Sequence, residues 1–138
     1  MSHTNLPIED VEEFNNKFMV PLPAEPTQLS ADVMRYRTNF LEEEYNELCE
    51  AYDECNIAKQ IDALIDLVYV AYGTALMMGV TPATWQKCWN AVHQANMSKR
   101  RATSADESKR GHELDVIKPA DFVDPVHTIE AIVRDLAD

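Results

Sequence analysis

Glycine is scarce in this chain of 138 residues, and Gly73, Gly79 and Gly111 stand too far apart to build a phosphate loop. Neither G-x-G-x-x-G nor G-x-x-x-x-G-K-[ST] can be assembled from them. Positive charge is scarce as well. Twelve Lys and Arg face 24 Asp and Glu, a net charge of -12, which excludes a protein that grips nucleic acid polymers by displacing counterions. Cysteine is limited to Cys49, Cys55 and Cys88, with no C-x-x-C, so neither a disulfide framework nor a zinc knuckle is indicated. The opening residues lack a positive segment followed by an apolar core, so no secretory signal is expected. The longest apolar stretch, 63–78, is shorter than a bilayer span and contains Asp66, so no membrane partner is expected either. A reducing cytoplasm fits these absences.

What is present is a globular composition, 46% hydrophobic, long enough for one domain over 1–138. Phe14 and Phe18, at i,i+4, mark a short helix over 9–18. Pro21, Pro23 and Pro26 then enforce an extended crossing. A long helix is expected from Leu29 to Glu54, with Leu41, Tyr45, Leu48 and Tyr52 as its core stripe. After a break near Cys55-Asn56, a second helix runs to Met78 with Ile61, Leu64, Ile65, Val68 and Tyr72 as its stripe and Gly79 behind it. Thr81-Pro82 opens a third helix to about Ala95, and Asp124-Pro125 a terminal helix over 124–138. Residues 97–118 read as an irregular, mobile basic loop, with a short extended piece between Leu114 and Ile117. The class is all-α.

The chemistry concentrates on the two long helices. With Leu41 at zero and 100° per residue, Glu44 falls at about 300° and Glu47 at about 240°, bordering the apolar face. On the second helix Asp66 sits in an apolar run, and Asp62 lies one turn earlier on the same side. A carboxylate buried in such a helix must be paired or bound to a metal. Folding the helices into an antiparallel hairpin about residue 55 brings together residues whose numbers sum to about 111. Glu44, Glu47, Asp62 and Asp66 then share one level, and four carboxylates there repel one another without cations. Oxygen ligands without His or Cys favour Mg²⁺ or Mn²⁺. Half of the basic residues lie in 99–118 (Lys99, Arg100, Arg101, Lys109, Arg110 and Lys118), either as a loop that closes over phosphates or as a solvated counterweight to the acidic body.

The stretch Glu43-Glu44-x-x-Glu47-Leu48, followed by Asp62-x-x-x-Asp66 and Leu67-Val68-Tyr69-Val70-Ala71-Tyr72-Gly73-Thr74-Ala75, resembles the MazG-like all-α nucleoside triphosphate pyrophosphohydrolases. Val92-His93-Gln94-Ala95-Asn96-Met97-Ser98-Lys99 with Lys118-Pro119 resembles the phage-type members, some of which are of the MazZ type, and Phe14-Asn15-x-x-Phe18 and the Arg37-x-x-Phe40-Leu41 lead-in also fit the resemblance. The resemblance implies a helical bundle in which two long antiparallel helices carry the acidic site, assembled as a homodimer or homotetramer. It implies cleavage between the α and β phosphates, with two or three Mg²⁺ or Mn²⁺ ions per site. By position, Glu44, Glu47 and Asp66 become metal ligands, Glu43 the residue that orients or deprotonates water, and Lys99 and Lys118 phosphate binders, with Asn96 and His93 beside the substrate. Many relatives carry ExxD in the second helix. Here Ala63 takes the acidic position, and Asp62 substitutes for it. The implied substrate is a purine nucleotide, dGTP or GTP first, in a bacterial or phage-infected cytoplasm.

Two other readings compete. A carboxylate-bridged di-iron bundle needs Glu-x-x-His on two helices, and no histidine here has Glu three residues before it. A non-enzymatic acidic helical protein that regulates a partner remains as the alternative.

Overall fold

A computed structural model describes residues 4–137; residues 1–3 and 138, part of the expected domain and of the expected C-terminal helix, lie outside the described residues. The chain forms two compact units, one through Pro82 and one from Ala83 onward. The first contains helices α1 (Pro7–Lys17), α2 (Ala31–Asp53) and α3 (Ile57–Met77). The second contains most of α4 (Pro82–Met97), two short strands and α5 (Val126–Ala137).

Local chemistry sets the helix ends. Ser30 Oγ accepts the Val33 N–H at 3.3 Å, so α2 begins one residue after this cap. Cys55 takes a left-handed φ of 54°, which turns the chain back, and Asn56 Oδ1 then accepts the Lys59 N–H at 3.0 Å to start α3. Pro7 opens α1, while Glu9 Oε1 accepts the Leu6 N–H at 2.8 Å. In the other unit Asp124 Oδ1 accepts the Val126 N–H at 2.9 Å at the head of α5.

Helices α2 and α3 pack as the expected antiparallel hairpin, and α1 lies along α3 through Ile8 and Val11. The expected register is met: Arg37 Nε donates to Thr74 Oγ1 at 3.0 Å. The expected core stripes are not. Tyr45 and Tyr52 are exposed on α2, as are Ile61, Leu64, Ile65 and Val68 on α3. What α2 buries is Arg37, Glu44 and Ala51, at i, i+7 and i+14, and what α3 buries includes Ala63, Val70 and Gly73. Small residues let the two backbones approach closely, so the meridian between them lies away from the bulky stripe. Helix α3 is also longer than the apolar stretch read from sequence, and by length and composition alone it would suffice to cross a bilayer. Asp62 and Asp66 along it, and its packing on α2, fit a bundle helix better.

Residues 97–118 are more structured than expected. Strand β1 (Arg100–Arg101) pairs antiparallel with β2 (Val116–Ile117), with a 3₁₀ turn at Ala105–Glu107 between them. Glu107 ties the turn together, accepting from Arg100 and from the Thr103 N–H and hydroxyl. Asp115 does the same with Ser108 and Arg110.

The Pro-rich crossing is pinned at the end of α3. Thr27 N–H donates to the Met78 carbonyl at 2.7 Å, and Gly79 turns with φ +82°. A methyl on Gly79 would run into the Glu25 carbonyl oxygen, whereas one on Gly111 (φ +69°) meets open space. Gly79→Ala should therefore destabilise by ~3 kcal/mol or more, from left-handed strain plus a backbone clash, and Gly111→Ala by only about 1 kcal/mol. Urea titration of both variants checks this; equal losses would refute it.

Candidate active site

The buried meridian of α2 brings Glu44 into the helix interface, where it is only 7% exposed. Its Oε2 is buried and has no hydrogen-bond partner. Glu43 and Glu47 reach the same place from the exposed flanks, and one carboxylate oxygen from each of Glu43, Glu44 and Glu47 lies within 4.8 Å of the others. From α3, half-buried Asp66 acts on Glu44 through its charge, and Asp62 and Glu47 act on Asp66. The two aspartates stand outside the tight glutamate triplet. Glu47 and Asp62 also line a recess of about 300 Å³ with Glu50 and Glu54.

These carboxylates hold one another in an unfavourable state. Burial, the hydrogen bond that protonated Glu44 donates to Glu47, and the charges of Glu47, Asp66 and Glu43 push Glu44 up to about 7. Burial, then Asp62 and Glu47, raises Asp66. Nearby basic side chains do not relieve the strain. Arg37, two turns before Glu44, donates instead to Thr74 and to the Val70 carbonyl. Lys59 pairs with Glu54 at 2.9 Å. An orphaned buried oxygen within an all-oxygen donor set fits a hard divalent cation.

The basic residues expected at the site belong to the other unit. Lys99 and Lys118 converge on one ring there, their Nζ atoms 5.7 and 5.1 Å from the Phe122 centroid. Among the described residues neither lysine has a carboxylate at ion-pair distance, whereas Arg100 and Arg110 are taken up by Glu107 and Asp115. His93 and Asn96 are exposed, one turn apart on α4. Two residues that the sequence presented only as motif letters are buried at a second place in the first unit. Asn15 and Arg37 line a cavity between α1, α2 and α3. The heptad spacing of Arg37, Glu44 and Ala51 was the available signal for Arg37; Asn15 had none.

The family model for phosphoribosyl-ATP pyrophosphohydrolase matches residues 11–96, more than half of the chain. The chain belongs to this family. The family falls within the MazG-like all-α nucleoside triphosphate pyrophosphohydrolases, in line with the resemblance carried by the acidic motifs. The protein is accordingly a nucleotide pyrophosphohydrolase, a hydrolase acting on acid anhydrides, and the reading as a non-enzymatic acidic protein falls away. A search of curated proteins finds no match to the chain.

The raised Glu44 has a consequence for stability. Its folded-state value lies above the ordinary 4.5, so the folded protein holds the proton more tightly than the unfolded chain. That contribution is full below about 4.5 and is lost as the pH rises through about 7. Glu107, held near 2 by Arg100 and Thr103, changes only in much stronger acid. The metal-free protein should thus melt at a lower temperature at about pH 8 than at about pH 5, and Glu44→Gln should flatten that slope. Scanning calorimetry in a chelator measures it; a slope unchanged by Glu44→Gln would show that the carboxylate is not strained.

Proposed function

We propose that the protein hydrolyses a purine nucleoside triphosphate between its α and β phosphates, releasing the monophosphate and pyrophosphate, with dGTP or GTP as the first substrate. The observation that carries this reading is the orphaned Glu44 oxygen inside a carboxylate cluster, in a chain of this family. Glu44, Glu47 and Asp66 would hold two or three Mg²⁺ or Mn²⁺ ions, with Asp62 as a further ligand in place of the acidic residue replaced by Ala63. Such ions, when bound, polarise phosphoryl oxygens and lower the pKa of water.

The chain's own residues supply the rest. Glu43 is exposed beside Glu44 and is free to orient the attacking water and take its proton. The water oxygen bonds to the α phosphorus as the bond to the α–β bridging oxygen breaks, and pyrophosphate departs. Lys99 and Lys118 are the phosphate binders, held against Phe122 and, among the described residues, without an ion pair. His93 and Asn96 are the further substrate contacts.

A homodimer or homotetramer is part of this reading. Ile57, Ile61, Leu64, Ile65 and Val68 are each at least 50% exposed on α3, an apolar face that a second copy would cover. The motif from Val92 to Lys99 supports a phage-type, MazZ-like enzyme working in the cytoplasm of a bacterium or phage-infected host. The net charge of -12 speaks against a nucleic acid polymer as partner. The matched family's description favours one second substrate, phosphoribosyl-ATP.

The deciding experiment offers the eight common NTPs and dNTPs together with phosphoribosyl-ATP and identifies the products. Equal amounts of monophosphate and pyrophosphate are expected; orthophosphate cut from the γ position would overturn the reaction. Glu44→Gln, Glu47→Gln and Asp66→Asn should each lower kcat at least ~100-fold in a protein that stays helical, comparable to removing an electrostatic stabiliser elsewhere. Near-normal kcat in two of the three would refute the ligand assignment. Lys99→Ala should raise KM and lower kcat together, a combined loss of ~2–4 kcal/mol. Unchanged kinetics would remove Lys99 from the site.

A further inference from the structure

The cavity between α1, α2 and α3 has a volume of about 220 Å³. Pockets that enclose a whole drug-sized ligand run to roughly 300–1,000 Å³, so this one has room for a single ring system and not for a nucleotide. Phe14, Tyr36 and Phe40 contribute aromatic surface to its wall. Asn15 is 5% exposed, lines the cavity, and its Nδ2 has no hydrogen-bond partner. A buried amide left without an acceptor destabilises the fold, and an aliphatic side chain of similar size would avoid that loss.

Arg37 is the second unusual group in the wall. It is 8% exposed, and its acceptors are neutral: Thr74 Oγ1 at 3.0 Å from Nε and the Val70 carbonyl at 3.1 Å from Nη2. Two of its five N–H donors are thereby placed. Its guanidinium lies 5.3 Å from the Tyr36 centroid and 5.4 Å from that of Phe40. Gly73 leaves the space for it, because a Cβ there would stand 2.8 Å from Nη2. The wall therefore offers π surface and N–H donors, and the amide donor of Asn15 is unspent.

The cavity is also correctly spaced from the carboxylates. Phe40 precedes Glu44 by four residues and Val70 follows Asp66 by four, while Arg37 is seven residues before Glu44. Along a helix these steps are ~6 and ~10 Å, the order of the span from the α phosphate of a nucleotide to its base.

We propose that this cavity is the base subsite, and that Asn15 determines specificity by donating from Nδ2 to an acceptor edge of guanine. This rests on the reading of the substrate as a purine nucleoside triphosphate. Guanine presents two acceptors, O6 and N7, on the edge where adenine presents one acceptor and one donor. A wall rich in N–H donors matches the former.

The test combines binding and kinetics. In the wild-type protein the Asn15 side-chain amide signals in a ¹⁵N spectrum should shift on titration with dGMP, and far less with dAMP. Asn15→Leu should fold, melt at the same temperature or higher, and still release pyrophosphate, while its ratio of kcat/KM for dGTP over dATP falls about tenfold. A residue needed only for packing would lower the melting temperature and leave that ratio alone. If the wild type releases pyrophosphate and Asn15→Leu keeps the wild-type ratio, the base assignment is wrong and the reaction stands. If no triphosphate yields pyrophosphate, the reaction is wrong, and the dGMP titration still decides the cavity. Asn15 signals indifferent to dGMP, or turnover of dATP or phosphoribosyl-ATP above dGTP, would overturn the proposal.

Discussion

Burial of negative charge between α2 and α3 is the constraint on which the rest of the first unit depends. A carboxylate at a helix interface needs a cation or a proton, and Glu44 has neither a basic partner nor a donor for its Oε2. The hairpin accommodates it by lining the interface with small or slender residues, Ala51, Ala63, Val70 and Gly73. The same choice displaces bulk. Ile61, Leu64, Ile65 and Val68 lie on the outer side of α3 because the inner side is given over to a close backbone approach and an acidic centre. Exposed apolar surface on this hairpin is thus the counterpart of its site, and not a separate feature.

That trade explains what the sequence made legible. The level of the carboxylates was readable because a short break at Cys55-Asn56 leaves one antiparallel register, and the Arg37–Thr74 hydrogen bond lies in that register. Helix ends were readable within a few residues where Ser30, Asn56 and Asp124 act as caps. The face of α2 that turns inward was not. Periodicity identifies an apolar stripe, but it does not say whether the stripe packs within one chain or against another. Tyr45 and Tyr52 satisfy the pattern and remain exposed, while Arg37 and Glu44 break it and are buried.

The second unit shows the converse limit. Composition alone made 97–118 a loop, since it has many charges and few apolar residues. Its order comes from specific partners: Glu107 with Arg100 and Thr103, and Asp115 with Ser108 and Arg110. Those pairs are sequence neighbours in a segment with no apolar periodicity to announce a helix or strand. They also sort the basic residues. Arg100 and Arg110 serve the loop, and Lys99 and Lys118 are left on Phe122 with no ion pair among the described residues.

Arg37 links the acidic centre to the cavity. It occupies the same meridian as Glu44, and a guanidinium reaching seven residues along would neutralise the carboxylate and lower its pKa. Glu44 is instead raised, and Arg37 is fastened the other way by Thr74, by the Val70 carbonyl and by its fit against Gly73. The protein thereby keeps its buried cation from cancelling its buried anions. One end of the interface retains a carboxylate that takes up either a proton or a cation, and the other retains donors without an acceptor. The proposed substrate, a triphosphate with its cations at one end and an acceptor-edged ring at the other, would meet both demands. Glu44 Oε2 and Asn15 Nδ2 are the buried polar atoms left without a hydrogen bond among the described residues, and a single elongated ligand reaching both accounts for them together more simply than two independent defects in packing.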